Sequence, residues 1–134
     1  MKNTHILIVD DDPDFSSSLS LILFSRGYRT SVADNGAQAL DLLRKRGEQD
    51  DIPDLVLTDL MMPVMDGIAL MDQMTREEIP VPVAVITGYD DLENLERLKR
   101  RGLHYVLHKP FDVRELLEFL RGIIPNDWHK EPEQ

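Results

Sequence analysis

Cysteine is absent from this 134-residue chain, which rules out a disulfide framework and any thiolate metal site. Long apolar runs are absent as well. Nothing approaches the roughly 20 residues needed to cross a bilayer, and the apolar part of the opening "MKNTHILIVD" is too short for a secretory signal. Positive charge is in short supply, with 15 Lys and Arg against 25 Asp and Glu and a formal net charge of −10. That balance argues against a nucleic-acid surface, which requires a basic face. Neither GxGxxG nor GxxxxGK followed by Ser or Thr occurs, so the glycine loops that cradle nucleotide phosphates are missing. Repeats, low-complexity tracts and internal linkers are also lacking. A single cytoplasmic domain, with no membrane or nucleic-acid partner, is expected.

A strict alternation of patterns remains. Short apolar runs occur at His5–Asp10, Thr30–Ala33, Asp54–Asp59, Val83–Thr87 and His104–His108. They are continuous rather than alternating apolar and polar, which predicts parallel strands covered on both faces. Between them lie helical patterns. Phe15, Leu19, Ile22 and Leu23 share a face, with Asp12 as N-cap, Pro13 in the first turn and Gly27 as stop. Asn35 and Gln38 approximate a capping box for a helix through Ala37, Leu40 and Leu43, with Gly47 predicted to end it. A third helix is predicted over residues 67–76. A fourth carries Leu92, Leu95 and Leu98 before Gly102. The last holds Val113, Leu116, Leu117, Leu120 and Ile124 behind an Asp112/Glu115 capping box. Five strand–helix units imply right-handed crossovers and an open, doubly wound parallel sheet between helical layers.

On that frame the polar residues converge. Asp10 and Asp11 follow the first strand, Asp59 ends the third, Thr87 ends the fourth and Lys109 follows the fifth. All lie at carboxyl ends of strands, where open α/β sheets place their ligand crevice. Clustered carboxylates raise one another's pKa unless a cation neutralises them, and Mg²⁺ is commonly held by one or two carboxylates together with phosphate oxygens. A carboxylate can also attack phosphorus and form an aspartyl-phosphate. The product's charge then calls for a metal, an ammonium and a hydroxyl donor. Asp59, on the central strand, is the natural nucleophile.

These residues sit in "VDDD" (Val9–Asp12), "LTDLMMPVMDG" (Leu57–Gly67), "ITG" (Ile86–Gly88) and "YVLHKPF" (Tyr105–Phe111). In order and spacing they resemble the receiver domain of bacterial two-component response regulators, over roughly residues 5–124. The resemblance implies a flavodoxin-like sheet of order 2-1-3-4-5, with residues 1–124 as receiver and 125–134 as a short tail. It implies that Asp59 takes a phosphoryl group from a histidine kinase or phosphotransfer protein. Mg²⁺ would be held by Asp10, Asp11, Asp59 and the backbone carbonyl of Met61. Thr87 would be the switch hydroxyl, Tyr105 the switch aromatic, and Lys109 the phosphate-binding lysine before a cis Pro110. The signal would pass through the surface of the fourth helix, fifth strand and fifth helix to an effector, an output domain or a second copy. The protein would not be a conventional enzyme, since it would catalyse only its own phosphotransfer and hydrolysis. With only a short tail beyond residue 124, it would be a single-domain regulator or the receiver of a longer protein.

Other readings are weaker. An aspartate-nucleophile phosphatase needs a second aspartate two residues after the nucleophile, where Met61 stands. A degenerate receiver used only for docking would lack an acid, the threonine or the lysine. Asp12 and Asp66 read as helix caps, the methionines from Met61 to Met74 as loop and core filling, and His5, His104 and His108 as structural. Arg97, Lys99, Arg100 and Arg101 read as a solvated face, with a partner contact as the alternative. Phe119 either widens the core stripe of its helix or offers a partner contact. Two features depart from the family pattern. "RKRGEQDDIPD" is long and is expected to form a larger surface loop, and Val64 replaces a frequent glycine. Met61 and Tyr89, both bulky, occupy positions that tune hydrolysis in this family, and neither positions a water as a carboxylate would.

Overall fold

The structure, a computed structural model, describes residues 3–88, 92–103 and 105–124. Strands and helices alternate: β1 (His5–Val9), α1 (Pro13–Ser25), β2 (Arg29–Ala33), α2 (Gly36–Glu48), β3 (Leu55–Asp59), α3 (Gly67–Arg76), β4 (Val83–Thr87), α4 (Leu92–Arg100), β5 (Val106–His108) and α5 (Val113–Ile123). The sheet order is β2-β1-β3-β4-β5, and every pairing is parallel. Tyr89 and His104 lie outside the described residues, as does the tail from 125. Among the described residues, no helix is long and apolar enough to cross a membrane.

The continuous apolar runs are explained by two covered faces. Ile6, Ile8 and Leu57 pack on one side against Leu19 and Leu23 of α1 and Leu116 and Leu120 of α5. Leu7, Val9 and Val56 point the other way, against Leu40 and Leu43 of α2 and Leu70 and Met74 of α3. Val85 meets Leu95 and Leu98 of α4. Successive strand residues face opposite sides, so a strand buried on both must be apolar at every position. Phe119 packs against the first of these clusters and so widens the core stripe of α5. The outer side of α1 leaves Leu21 and Phe24 largely exposed.

The caps form as their residue types require. Asp12 accepts from the backbone N–H groups of Asp14 (3.0 Å) and Phe15 (3.3 Å), and Asp66 accepts from Ala69. Asp112 and Glu115 form a complete capping box. In α2 the box is offset: Asn35 accepts from Gln38 N–H, but the Gln38 side chain accepts from Asp34 N–H. Gly27 and Gly102 terminate α1 and α4 with φ of 93° and 97°, a conformation that costs glycine little.

Two expectations about α2 need correction. Gly47 does not end the helix, which continues to Glu48, and the reversal falls at Asp50 (φ 57°). Nor does the long "RKRGEQDDIPD" stretch make a large loop. Its first part, Arg44 to Glu48, is the last turn of α2, and Asp51 then folds back to pair with Arg46 and Arg29, while its N–H donates to the Arg46 carbonyl. Glycine near a helix end only permits a stop. Here the capping bonds of Asp51 decide its place.

At the opposite end of the sheet from the acidic cluster, buried His5 places its Nε2 2.7 Å from Ser31 Oγ. Burial, and then the charges of Arg29 and Arg46, hold its pKa below the ordinary histidine value. The folded state therefore prefers the neutral ring. That preference costs nothing above the unfolded pKa of about 6.5, and stability is lost progressively as pH falls below it. Urea unfolding of the wild type should show stability declining from about pH 7 to about pH 5, with a visibly flatter slope in His5→Gln. Equal slopes would assign the decline to other groups.

Candidate functional site

The register brings the acids together. Val9 pairs with Thr58 across β1 and β3, so Asp10, the first residue past β1, emerges beside Asp59 at the end of β3. Asp11 follows in the same turn. Each of the three offers a carboxylate oxygen, and these oxygens lie within 4.8 Å of one another, a grouping able to hold a metal ion. Asp10 is buried, Asp59 half-buried and Asp11 exposed, so the cluster runs from the core to the surface. Asp12 stands outside it, occupied by its cap.

Each side chain is held from its own element. Asp10 Oδ1 accepts from the N–H of Asp12 at 2.9 Å. Asp59 Oδ1 accepts from Leu60 N–H at 2.7 Å, and the N–H of Met61 also serves its carboxylate. Lys109 follows β5, where its N–H donates to the Thr87 carbonyl at 2.8 Å. Its ammonium lies 3.8 Å from Asp10 Oδ2 and 4.2 Å over the ring of Phe15. Phe111 braces that ring edge-on, with centroids 6.3 Å apart. The Lys109–Pro110 peptide is cis.

Thr87 ends β4 at the same edge and is buried, its hydroxyl directed to the Gly88 carbonyl at 3.4 Å. Tyr105 is one strand over, just ahead of β5. Its carbonyl accepts from Val85 N–H, and its side chain is exposed. The structure thus gathers Asp10, Asp11, Asp59 and Lys109, sets Thr87 beside them, and leaves Tyr105 outside the cluster.

Burial is the main influence on the two inner acids. It pushes the Asp10 carboxyl above the ordinary carboxylate value, and the neighbouring Asp59 adds to this while Asp12 N–H and Lys109 oppose it. Burial likewise raises Asp59, partly offset by the Lys109 ammonium. The fold favours the neutral form of both groups, so ionising them at neutral pH costs stability. A cation, or conversion of one carboxylate to an ester-like species, relieves that cost.

Sequence reasoning saw Phe15 only as part of a core stripe. Its position in the first turn of α1, at the edge that also carries Lys109, was the available signal for a cation–π seat. It also missed how closely the 60–66 loop is confined. A Cβ on Gly67 would lie 2.6 Å from the Asp59 carbonyl, and one on Gly36 would lie 2.7 Å from the Met65 carbonyl. Gly67 N–H donates to the Leu60 carbonyl, and Gly36 N–H to that of Met65. Between these anchors Val64 adopts φ 69°, and Met65 N–H donates to the Pro63 carbonyl at 2.7 Å. A β-branched residue in this left-handed conformation is strained.

A sequence profile of the response regulator receiver domain matches residues 6–121. The chain is 35% identical over 125 residues to Sporulation initiation phosphotransferase F of Bacillus subtilis, covering 93% of this chain and 97% of that protein. It is 40% identical over 112 residues to Regulatory protein AtoC of Escherichia coli, covering 83% of this chain but 23% of that protein. A crystal structure of a CheY-like response regulator receiver domain protein from Methanospirillum hungatei matches with a TM-score of 0.77 at 28% identity, over 90% of this chain and 93% of that one.

The division of the aspartate triplet is testable. Asp11→Ala should weaken Mg²⁺ binding in a calorimetric titration, whereas Asp12→Ala should keep that affinity and cost about 1 kcal/mol of stability. Equal loss of affinity in both variants would refute the division. Val64→Gly should raise the urea midpoint, corresponding to roughly 1 kcal/mol of unfolding free energy, through release of the left-handed strain. An unchanged or lower midpoint would show that the turn stores none.

Proposed function

The chain belongs to the response regulator receiver domain family, a family of signalling domains, and from that premise we propose that Asp59 is its phosphoacceptor. The observation that carries this reading is the trio of carboxylates within 4.8 Å of one another, with the Lys109 ammonium 3.8 Å from Asp10. In the proposed reaction an Asp59 oxygen attacks the phosphorus of a partner's phosphohistidine. The new P–O bond forms as the P–N bond breaks, and the imidazole keeps the electron pair and takes up a proton. Asp59 is suited to attack because Leu60 and Met61 N–H groups hold its carboxylate in place.

Mg²⁺, bound by Asp10, Asp11, Asp59 and the Met61 carbonyl, would supply positive charge to the phosphoryl oxygens. Lys109 contributes a second positive charge from a seat fixed by Phe15 and by the β4–β5 pairing. Thr87 turns its hydroxyl from the Gly88 carbonyl to donate to a phosphoryl oxygen. The acyl phosphate is then hydrolysed slowly by the same site, and the protein has no outside substrate.

The added charge of about −1.5 to −2 makes the event a signal. Movement of Thr87 vacates space that Tyr105 enters, altering the surface of α4, β5 and α5. An effector, an output domain or a second copy with higher affinity for the altered surface would shift the equilibrium. The basic residues of α4, Arg97, Lys99 and Arg100, support a charged partner surface, whereas Arg101, just past the helix, is paired with Asp72 of α3. A histidine kinase or phosphotransfer protein as donor, and a cytoplasmic setting, complete the proposal.

Incubated with Mg²⁺ and acetyl phosphate, the protein should gain a single hydroxylamine-labile phosphoryl group, and Asp59→Asn should gain none. Label retained by that variant would overturn the assignment. In the labelled wild type, amide exchange across residues 88–124 should change, and unchanged exchange would reject this output route.

A further inference from the structure

Of the methionines from Met61 to Met74, four serve the core. Met62 and Met65 pack against the β1/α2/α3 cluster, Met71 packs beside α4, and Met74 is only 3% exposed. Met61 does not share that role. It is 60% exposed, and its sulfur receives the side-chain amide of Asn94 on α4, with Nδ2 3.6 Å from Sδ. Asn94 in turn accepts from Arg97 at 3.2 Å. A thioether therefore stands in open solvent two residues past Asp59 and forms a polar link between the 60–66 loop and α4.

A thioether is a weak hydrogen-bond acceptor, whereas a sulfoxide oxygen is a strong one. The sulfur is also a soft nucleophile whose oxidation follows its exposure. We propose that Met61 is a peroxide-reactive modification site, and that its sulfoxide fastens α4 to the phosphoacceptor loop through Asn94. The oxidant is a hydroperoxide. A sulfur lone pair attacks one peroxide oxygen, the O–O bond breaks as the S–O bond forms, and water leaves when the oxidant is hydrogen peroxide. Sulfur is oxidised and peroxide reduced, with no further reactant required. Methionine sulfoxide reductases reverse such a modification.

The neighbouring geometry favours this outcome. The new oxygen is borne by the atom that Asn94 already faces; on the direct line to Nδ2 it would come too close, so a small turn of the exposed Met61 side chain brings it to hydrogen-bond distance. Met74 is buried and Met62, Met65 and Met71 are partly buried against the core, so limited peroxide should reach Met61 first. The link also falls on a helix that the proposed output surface uses. Its signalling consequence rests on that reading, but the chemistry and the contact do not.

The test uses unphosphorylated protein, so it does not depend on Asp59 being the phosphoacceptor. After limited hydrogen peroxide treatment, peptide mass analysis should find Met61 oxidised ahead of Met62, Met65, Met71 and Met74. Amide exchange in residues 92–100 should slow by about fivefold, the effect of one added neutral hydrogen bond on local opening. Asn94→Ala should be oxidised at Met61 equally well without that slowing, and Met61→Leu should not respond. Oxidation of the packed methionines at the same rate as Met61 would overturn the modification site. Unaltered exchange in fully Met61-oxidised protein, or equal slowing in Asn94→Ala, would overturn the link to α4.

Discussion

The lateral pairing of β1 with β3 is the constraint on which the rest depends. It is a non-sequential neighbourhood, made possible because the chain places β2 outside β1 before returning to the centre of the sheet. With Val9 set against Thr58, the two central strands end together, and the residues just beyond them have no choice but to share a small volume. A shift of one residue would turn alternate side chains to the other layer and exchange Asp59 for an apolar neighbour. The apolar packing on both faces fixes that register far more firmly than any contact among the acids could. The site is thus assembled by forces that do not involve it, and its like charges are tolerated because the core outweighs them.

The same arrangement explains the division of labour among the polar groups. Asp10 is deepest and has lost most of its water, so it is bonded to the Asp12 backbone and approached by Lys109. Asp59 is intermediate, its carboxylate held by the turn that follows it. Asp11 remains in solvent. This gradient of burial gives the cluster inner groups whose ionisation the fold resists and an outer group at the surface. Lys109 has a long, flexible stem, yet the ring of Phe15 and the bond from its N–H to the Thr87 carbonyl leave it little freedom. Its charge is directed at the cluster before any ligand arrives.

Much of this was legible in the sequence because local and global signals agreed. Doubly covered strands read as unbroken apolar runs, and side-chain caps such as Asp12, Asn35 and Asp112 marked helix starts correctly because those residue types satisfy orphan N–H groups in one characteristic way. Legibility failed where the deciding partner was distant in the chain or was backbone. Gly47 offered a stop, but Asp51 supplied the capping bonds and moved the end of α2. The role of Phe15 depended on Lys109, 94 positions further on, and the contact of Met61 depended on Asn94. Phe119 was ambiguous by periodicity alone, and the packing of α5 on α1 resolved it toward the core. Val64 shows a third kind of failure. Its φ of 69° is imposed by the bonds on either side of it rather than by its own preference.

The two close backbone approaches at Gly36 and Gly67 have a consequence for how this chain can vary in length. They fasten both ends of the 60–66 loop to rigid elements, one to the start of α2 and the other to the end of β3. An inserted or deleted residue there could not be absorbed without breaking a clamp and displacing the backbone next to Asp59. Residues 49–54 carry no such clamp to the acidic edge, being held mainly by the ion pairs of Asp51 and the bonds of Asp54. Additions there can lengthen α2 or its connection at the far end of the sheet. A reporter peptide or purification tag belongs at that end, and the loop after β3 must keep its count of residues.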